Sequence, residues 1–188
     1  MQVTGITMRH DAIYHDLDPC HWEHNFLCSI GVQSNTYDAV KAVVPSVKSV
    51  YLPPSGGGLI IGYVSIKKRV PGEAKRAGWA AVNSYPSTHI VIVVDEDIDV
   101  YNEEEVLWAM ATRCCPDIDI DIIPRIVGGG LVPTSYDETR LKRGNMNSKM
   151  VIDATMPVEL PFATRITPPE DLWQRMKLED YIKDYRKL

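Results

Sequence analysis

The sequence predicts an α/β domain: a mostly parallel sheet flanked by helices, with a protruding C-terminal helix. Three observations carry this reading. Ile90-Val-Ile-Val-Val94 is an unbroken β-branched run, the pattern of a strand buried on both faces. The run passes directly into Asp95, Glu96, Asp97 and Asp99, and a helix then opens at Asn102-Glu-Glu-Glu-Val-Leu-Trp. Strand, acidic turn and helix in that order make a crossover unit. A second such unit precedes it, with a strand over Leu59 to Lys67 and a helix from Glu73 to about Asn83.

Each element follows from local pattern. Gln2 to Arg9 alternates weakly and is read as an opening strand. Cys20 to Val44 is helical: Trp22, Phe26, Leu27 and Ile30 form one apolar face, Gly31 interrupts, and a second helix runs from Tyr37 to Val44, ending before Pro45. Val47 to Leu52 is a strand stopped by Pro53-Pro54. The helix at Glu73 presents Ala74, Ala77, Ala80 and Ala81 as a thin apolar face, and the helix Glu103 to Cys114 is halted by Pro116. Asp117 to Ile123 alternates acid and isoleucine, which predicts a strand with one solvated face. Pro124 to Asn147 is a long polar, glycine-rich loop containing Gly128-Gly129-Gly130, and Met150 to Thr155 is a short strand. Pro169 followed by acids opens a last helix with Leu172, Met176 and Ile182 along one side. The predicted division is an α/β domain over 1–168 and a terminal helix over 169–188.

Composition narrows the function classes. The chain has 188 residues, 45% hydrophobic, with a net charge of −5, and no block of Lys and Arg, which argues against nucleic acid as a partner. The longest apolar runs fall well short of the roughly 20 residues of a membrane span. Met1 to Arg9 has no signal-peptide pattern. Cys20, Cys28, Cys114 and Cys115 show no disulfide framework, and a reducing, cytoplasmic setting is expected.

The candidate constellations are few. Cys20-His21-Trp22-Glu23-His24 places two histidines at i, i+3, but no second ligand pair accompanies them, so they are read as a helix face and no metal site is assigned. Asp95, Glu96, Asp97 and Asp99 stand at a strand end, where α/β proteins place catalytic groups, but also where acids cap a following helix. Neither Gly56-Gly57-Gly58 nor Gly128-Gly129-Gly130 has the spacing of a phosphate loop.

Five blocks carry a specific resemblance: Ile6 to Tyr14, Ser65 to Lys75, Val94 to Val100, Val106 to Arg113 and Ser148 to Thr155. In this order they resemble the C-terminal part of the UbiD family of carboxy-lyases. The resemblance implies non-oxidative decarboxylation of aromatic or α,β-unsaturated acids. It implies prenylated FMN with a divalent metal (often manganese) and potassium in the complete enzyme, with no cofactor expected on this chain alone. The family's catalytic Glu-Arg-Glu set and metal ligands lie upstream of the matched region, so no catalytic, cofactor-binding or metal-binding residue is carried over. A lysine that some members use near the cofactor falls near Asn83.

By the same resemblance, the segment before the Ile90 strand and the long loop approach the flavin. Their residues, Thr88, His89, Gly129, Gly130 and Leu131, are the expected substrate-pocket contribution. The chain is thus expected to be the oligomerisation and active-site-lid domain of a UbiD-type decarboxylase. Its partner would be the catalytic flavin-binding domain or subunit, and it would form a homo-oligomer through the C-terminal helix. The alternative is a non-catalytic assembly or binding protein that kept the domain without the chemistry.

Overall fold

A computed structural model of the chain describes residues 2–130, 132–135, 146–167 and 169–177. The chain divides into two units, Met1–Val158 and Glu159–Leu188. The first holds helices α1 (Trp22–Val43), α2 (Glu73–Ser84), α3 (Glu103–Arg113) and α4 (Pro116–Asp119). Its strands are β1 (Val47–Tyr51), β2 (Ile61–Ile66), β3 (Ile90–Asp95), β4 (Ile120–Val127) and β5 (Met146–Ala154).

The five strands form one sheet in the order β1-β2-β3-β5-β4. The expected α/β class holds, but the sheet is mixed rather than mostly parallel. β2, β3 and β5 run parallel at the centre, whereas β1 and β4 are antiparallel edges. The reason lies in the connections. β2 reaches β3 by a crossover through α2, which suits parallel neighbours, whereas β1 reaches β2 through a short connection that holds only a 3-10 turn at Pro54–Gly56, which permits an antiparallel pair.

Two cores result. One unites α1 and α2 with one face of the sheet through Val40, Leu52, Val64, Ala77, Val82 and Val93. The other packs α3 on the opposite face through Ile92, Val94, Val106 and Ala109. β3 is therefore covered on both faces, as its β-branched run predicts. Ala74, Ala77 and Ala81 are fully buried, and a Cβ at Gly78 would stand 3.2 Å from Val93 Cγ2. Small residues on α2 let it lie close on the sheet.

Several local expectations are corrected. α1 runs unbroken through Gly31, because the helix on either side is long enough to absorb one glycine. Its buried positions are Ser29, Val32, Thr36 and Val40, not the Trp22, Phe26, Leu27 and Ile30 face, which is exposed. Gln2 to Arg9 forms no strand. Asp117 and Asp119 lie in the short α4, which Pro116 opens, and β4 begins only at Ile120. Asp121 is paired with Lys75 at 2.8 Å rather than solvated.

The second unit contains helix α5 (Glu170–Arg175), with Leu172 N donating to Pro169 O at 2.9 Å. The expected protruding helix is described over these six residues only. Its continuation through Ile182 lies outside the described residues. No described helix is long and apolar enough to cross a membrane.

Candidate functional site

Two ends of the sheet carry chemistry. At the amino ends of β3 and β5, the segment Pro86-Ser87-Thr88-His89 meets the start of the long loop. Gly129 N donates to Pro86 O at 3.2 Å, and a Cβ on Gly129 would stand 2.9 Å from Ser87 Cα and collide with the Ser87 hydroxyl. Glycine is required here by this close approach. The space that a side chain at Gly129 would fill belongs to Ser87. A Cβ on Gly128 would likewise meet Asn147, with Nδ2 at 2.7 Å.

Thr88 is buried, with its hydroxyl donating to Leu59 O at 2.8 Å, so its side chain braces the β2 approach. His89 is half-buried and lies 3.2 Å from Asn147 Nδ2 through its Nε2. Asn147 uses the same amide nitrogen to donate to the Ser135 hydroxyl. Both N–H groups of that amide are then engaged, so His89 Nε2 accepts and the ring proton sits on Nδ1. Burial, reinforced by the charge of Lys149, holds the His89 pKa below its ordinary value, which keeps the ring neutral. Ser135 Oγ donates in turn to Gly129 O at 3.3 Å.

Beneath this network lies Lys149, which the sequence reading quoted inside a motif but gave no role. It is 1% exposed. Its ammonium donates to the carbonyls of Val82 (3.3 Å), Tyr85 (3.4 Å), Pro86 (2.8 Å) and Thr88. Those carbonyls are the last turn of α2 and the loop leaving it, where helix geometry leaves acceptors without partners. Burial lowers the Lys149 pKa to about 8. One signal was present in the sequence: Asn147, Lys149 and Val151 share a face of β5, and Val151 is core.

Of the expected pocket residues, the structure thus brings Thr88, His89 and Gly129 together. Gly130 follows, half-buried, and Leu131 lies outside the described residues. Asn83 is exposed and donates back to Trp79 O at 2.9 Å.

The opposite, carboxyl edge of the sheet holds the acids. Arg113, at the end of α3, donates to Asp95 Oδ2 at 2.7 Å and to both Asp97 oxygens at 2.9 and 2.6 Å. Met156 N also donates to Asp95 Oδ2 at 2.7 Å. Burial pushes the Asp95 pKa up against these attractions. Glu96 is drawn down by Lys48 at 3.1 Å and Lys67 at 3.5 Å. Asp99 Oδ1 accepts from Tyr101 N at 2.9 Å, and Asn102 caps α3 through Glu104 N at 3.1 Å. A cleft of about 370 Å³ opens here between Ile66-Lys67-Lys68 and Asp95-Glu96-Asp97. It lies where α2 and α3 leave the sheet for opposite faces, the general ligand position in α/β sheets. Its acids are matched by cations, and Lys68 is held by Thr155 Oγ1 at 2.8 Å, so the edge is a closed ionic clamp. Among the described residues, no three His, Cys, Asp or Glu side chains gather as a metal set. The four cysteines are free, and His24 Nδ1 accepts from Cys20 N at 3.0 Å.

The amino edge is the candidate site: there a neutral imidazole and a buried ammonium converge with no carboxylate among their described partners.

Comparison with known proteins gives the family. The family model of the 3-octaprenyl-4-hydroxybenzoate carboxy-lyase C-terminal domain matches residues 25–154. The anhydromevalonate phosphate decarboxylase of Methanothermobacter thermautotrophicus is 38% identical over 151 residues, 80% of this chain and 34% of that protein. The gallate decarboxylase of Lactiplantibacillus plantarum is 30% identical, covering 85% of this chain and 34% of its own. Among solved structures, the UbiD-class enzyme HmfF from Pelotomaculum thermopropionicum in complex with FMN superimposes with a TM-score of 0.75 at 38% identity, over 85% of this chain and 34% of that one. An evolved dimeric form of HmfF with prFMN gives 0.66 at 36% identity, over 85% of this chain and 32% of that one. The chain spans about a third of the length of the relatives it matches.

Proposed function

The chain belongs to the UbiD family, as its carboxy-lyase C-terminal domain, and on that premise we propose that it is the active-site-lid and oligomerisation domain of a prenylated-FMN-dependent decarboxylase of aromatic or α,β-unsaturated acids. It acts with the catalytic flavin-binding portion, carried in the same polypeptide or on a separate subunit. The observation that carries this is the convergence of Pro86–His89, Gly129, Ser135 and Asn147 over Lys149 at one sheet edge.

The described residues offer no divalent-metal set, and the acids at the carboxyl edge are tied up in the ionic clamp. They do not fit a role in holding manganese, so no step is routed through a metal on this chain. Prenylated FMN, when bound elsewhere in the assembly, supplies the electron sink for carbon–carbon cleavage. This chain's residues do three things. Gly129, bonded to Pro86 O and packed on Ser87, joins the two loop segments, and Thr88 ties its own segment to Leu59. Lys149 anchors the Pro86–Thr88 segment to the end of α2 through backbone carbonyls. His89, neutral and with its proton on Nδ1, presents a hydrogen-bond donor without adding a second charge. A rigid lid of this kind excludes water and shapes the pocket. Thr88, His89, Gly129, Gly130 and Leu131 are the residues we assign to substrate contact.

The terminal segment, residues 169–188, is assigned to homo-oligomer contacts. Leu172 and Met176 are exposed apolar side chains of the kind such contacts cover. The setting is read as cytoplasmic, consistent with four free cysteines.

The test is a visible spectrum and a CO₂-release assay on the chain co-expressed with a flavin prenyltransferase, with and without the flavin-binding portion. Activity only in the presence of that portion is expected. Flavin binding and turnover by this chain alone would place the cofactor site within it and overturn the reading.

A further inference from the structure

The N-terminal end of the chain carries an apolar surface that its own fold leaves uncovered. Among residues 2–28 none is buried; Ser29 is the first. Yet this stretch includes Val3, Ile6, Met8, Ile13 and Tyr14, all exposed. It continues into α1, where Trp22 is 64% exposed, Phe26 44%, Leu27 50% and Ile30 53%. The spacing of these four is helical, so they form one continuous strip along the first turns. α1 packs on the core only from its middle onward, through Val32, Thr36 and Val40. A contiguous strip of this kind, containing a tryptophan and a phenylalanine, is the composition of a protein interface and costs solubility if left in water.

What covers it follows from where the rest of the relatives' length lies. The matched family model is a C-terminal domain beginning at residue 25, and the chain spans about a third of its relatives. The remaining two-thirds of those proteins therefore precede α1, at the end where the strip stands. One feature of α1 fixes the strip's position. A side chain at Gly58 (φ +67) would run into the Asn25 backbone, with the Asn25 carbonyl carbon at 2.8 Å. The first turns are thus locked against the loop between β1 and β2 and do not swing away to bury the strip elsewhere.

We propose that the Trp22, Phe26, Leu27 and Ile30 strip of α1 is the docking seat for the flavin-binding portion that the relatives carry upstream of this domain. This rests on the family reading above, and it adds the surface by which the lid is coupled to the site it covers. The core of the strip is desolvated on docking, so a charge placed within it uncouples the two parts while leaving the isolated domain intact.

The test uses complete HmfF with its matched C-terminal third replaced by this chain, compared with the same chimera carrying Leu27→Asp and Ile30→Asp. The native-strip chimera unfolds in one transition. In the substituted chimera the first midpoint falls by roughly 5 °C or more and a second transition separates. The same substitutions shift the midpoint of this chain alone by no more than about 1 °C, as expected at exposed positions. Three results overturn the proposal. One is an unchanged chimera, and another is a native-strip chimera that is insoluble or unfolds in two steps. The third is a light-scattering mass of this chain alone that the substitutions halve, which assigns the strip to a second copy. No readout depends on turnover, so a coupled but inactive chimera counts against the functional reading and not against the docking seat.

Discussion

The Lys149 ammonium lies 2.8 Å from the Pro86 carbonyl oxygen, and three further carbonyls, of Val82, Tyr85 and Thr88, complete its shell. One side chain from β5 thereby satisfies the end of α2 and the whole segment that leads into β3. Removing it takes the ammonium donor from the Val82 and Thr88 carbonyls, while Tyr85 O and Pro86 O keep the Thr88 and Gly129 N–H groups.

Lys149→Met is therefore expected to lower stability by about 2 kcal/mol at pH 7, read by urea unfolding. The pH dependence is the sharper test. The folded pKa is about 8 against an ordinary 10.5, so between these values the unfolded chain binds more protons at this site. Stability then rises with pH across that window, by about 1 kcal/mol per unit between pH 8.5 and 9.5. The Met variant lacks this slope, so the gap between the two proteins widens with pH. A constant gap would mean that Lys149 titrates normally in the fold.

Gly129→Ala tests the contact between the two candidate-site segments. The added methyl meets the Ser87 hydroxyl and approaches Ser87 Cα to 2.9 Å. A cost of about 1–3 kcal/mol is expected, typical of overpacking where backbone blocks relief. In a Ser87→Gly background the hydroxyl and Cβ are gone but the Cα remains, so part of the cost is recovered. Additive effects of the two substitutions would show that the segments do not touch in solution.

Much of this was legible in the sequence, and the gaps have physical causes. The β3 run and the Asn102 cap are local signals, and both elements fall where pattern places them. The convergence of Ser87 to His89 with Gly129 came from a resemblance and not from spacing, because contacts 40 residues apart leave no local trace. Lys149 was missed because a lysine in a strand reads as a wet-face residue until its neighbours Asn147 and Val151 prove buried. The α1 strip was legible as an apolar helix face, but periodicity does not say whether the same domain covers it. The antiparallel pairing of β1 and β4 is a matter of which strands become neighbours, which composition does not encode.

Arg113→Met opens the ionic clamp at the carboxyl edge. The Arg113 side chain is 2% exposed, and Asp95 is nearly buried beside it. Losing the guanidinium leaves Asp95 in a site that already pushes its pKa up through burial. A loss of about 3–5 kcal/mol is expected at pH 7. The sign with pH follows. In the variant the folded carboxyl holds its proton above the ordinary 3.8, so stability falls as pH rises through that higher pKa. Urea unfolding at pH 4.5 and pH 7 should show the smaller deficit at pH 4.5. An equal deficit at both would show that Asp95 is not the group left uncompensated.

Gly31→Ala tests whether α1 is one helix. Gly31 lies mid-helix and exposed, with no positive φ and nothing within 4 Å of the position a Cβ would take. Alanine fits there without strain, removes backbone freedom from the unfolded chain and raises helix propensity. The substitution should stabilise the domain by about 0.5–1 kcal/mol, seen as a higher urea midpoint at unchanged slope. Were the chain broken at Gly31 into two helices, the glycine would hold a turn conformation that alanine disfavours, and the midpoint would fall. A rise therefore establishes the continuous helix that carries the exposed Trp22 to Ile30 strip and the buried Val32 to Val40 line on one rigid rod.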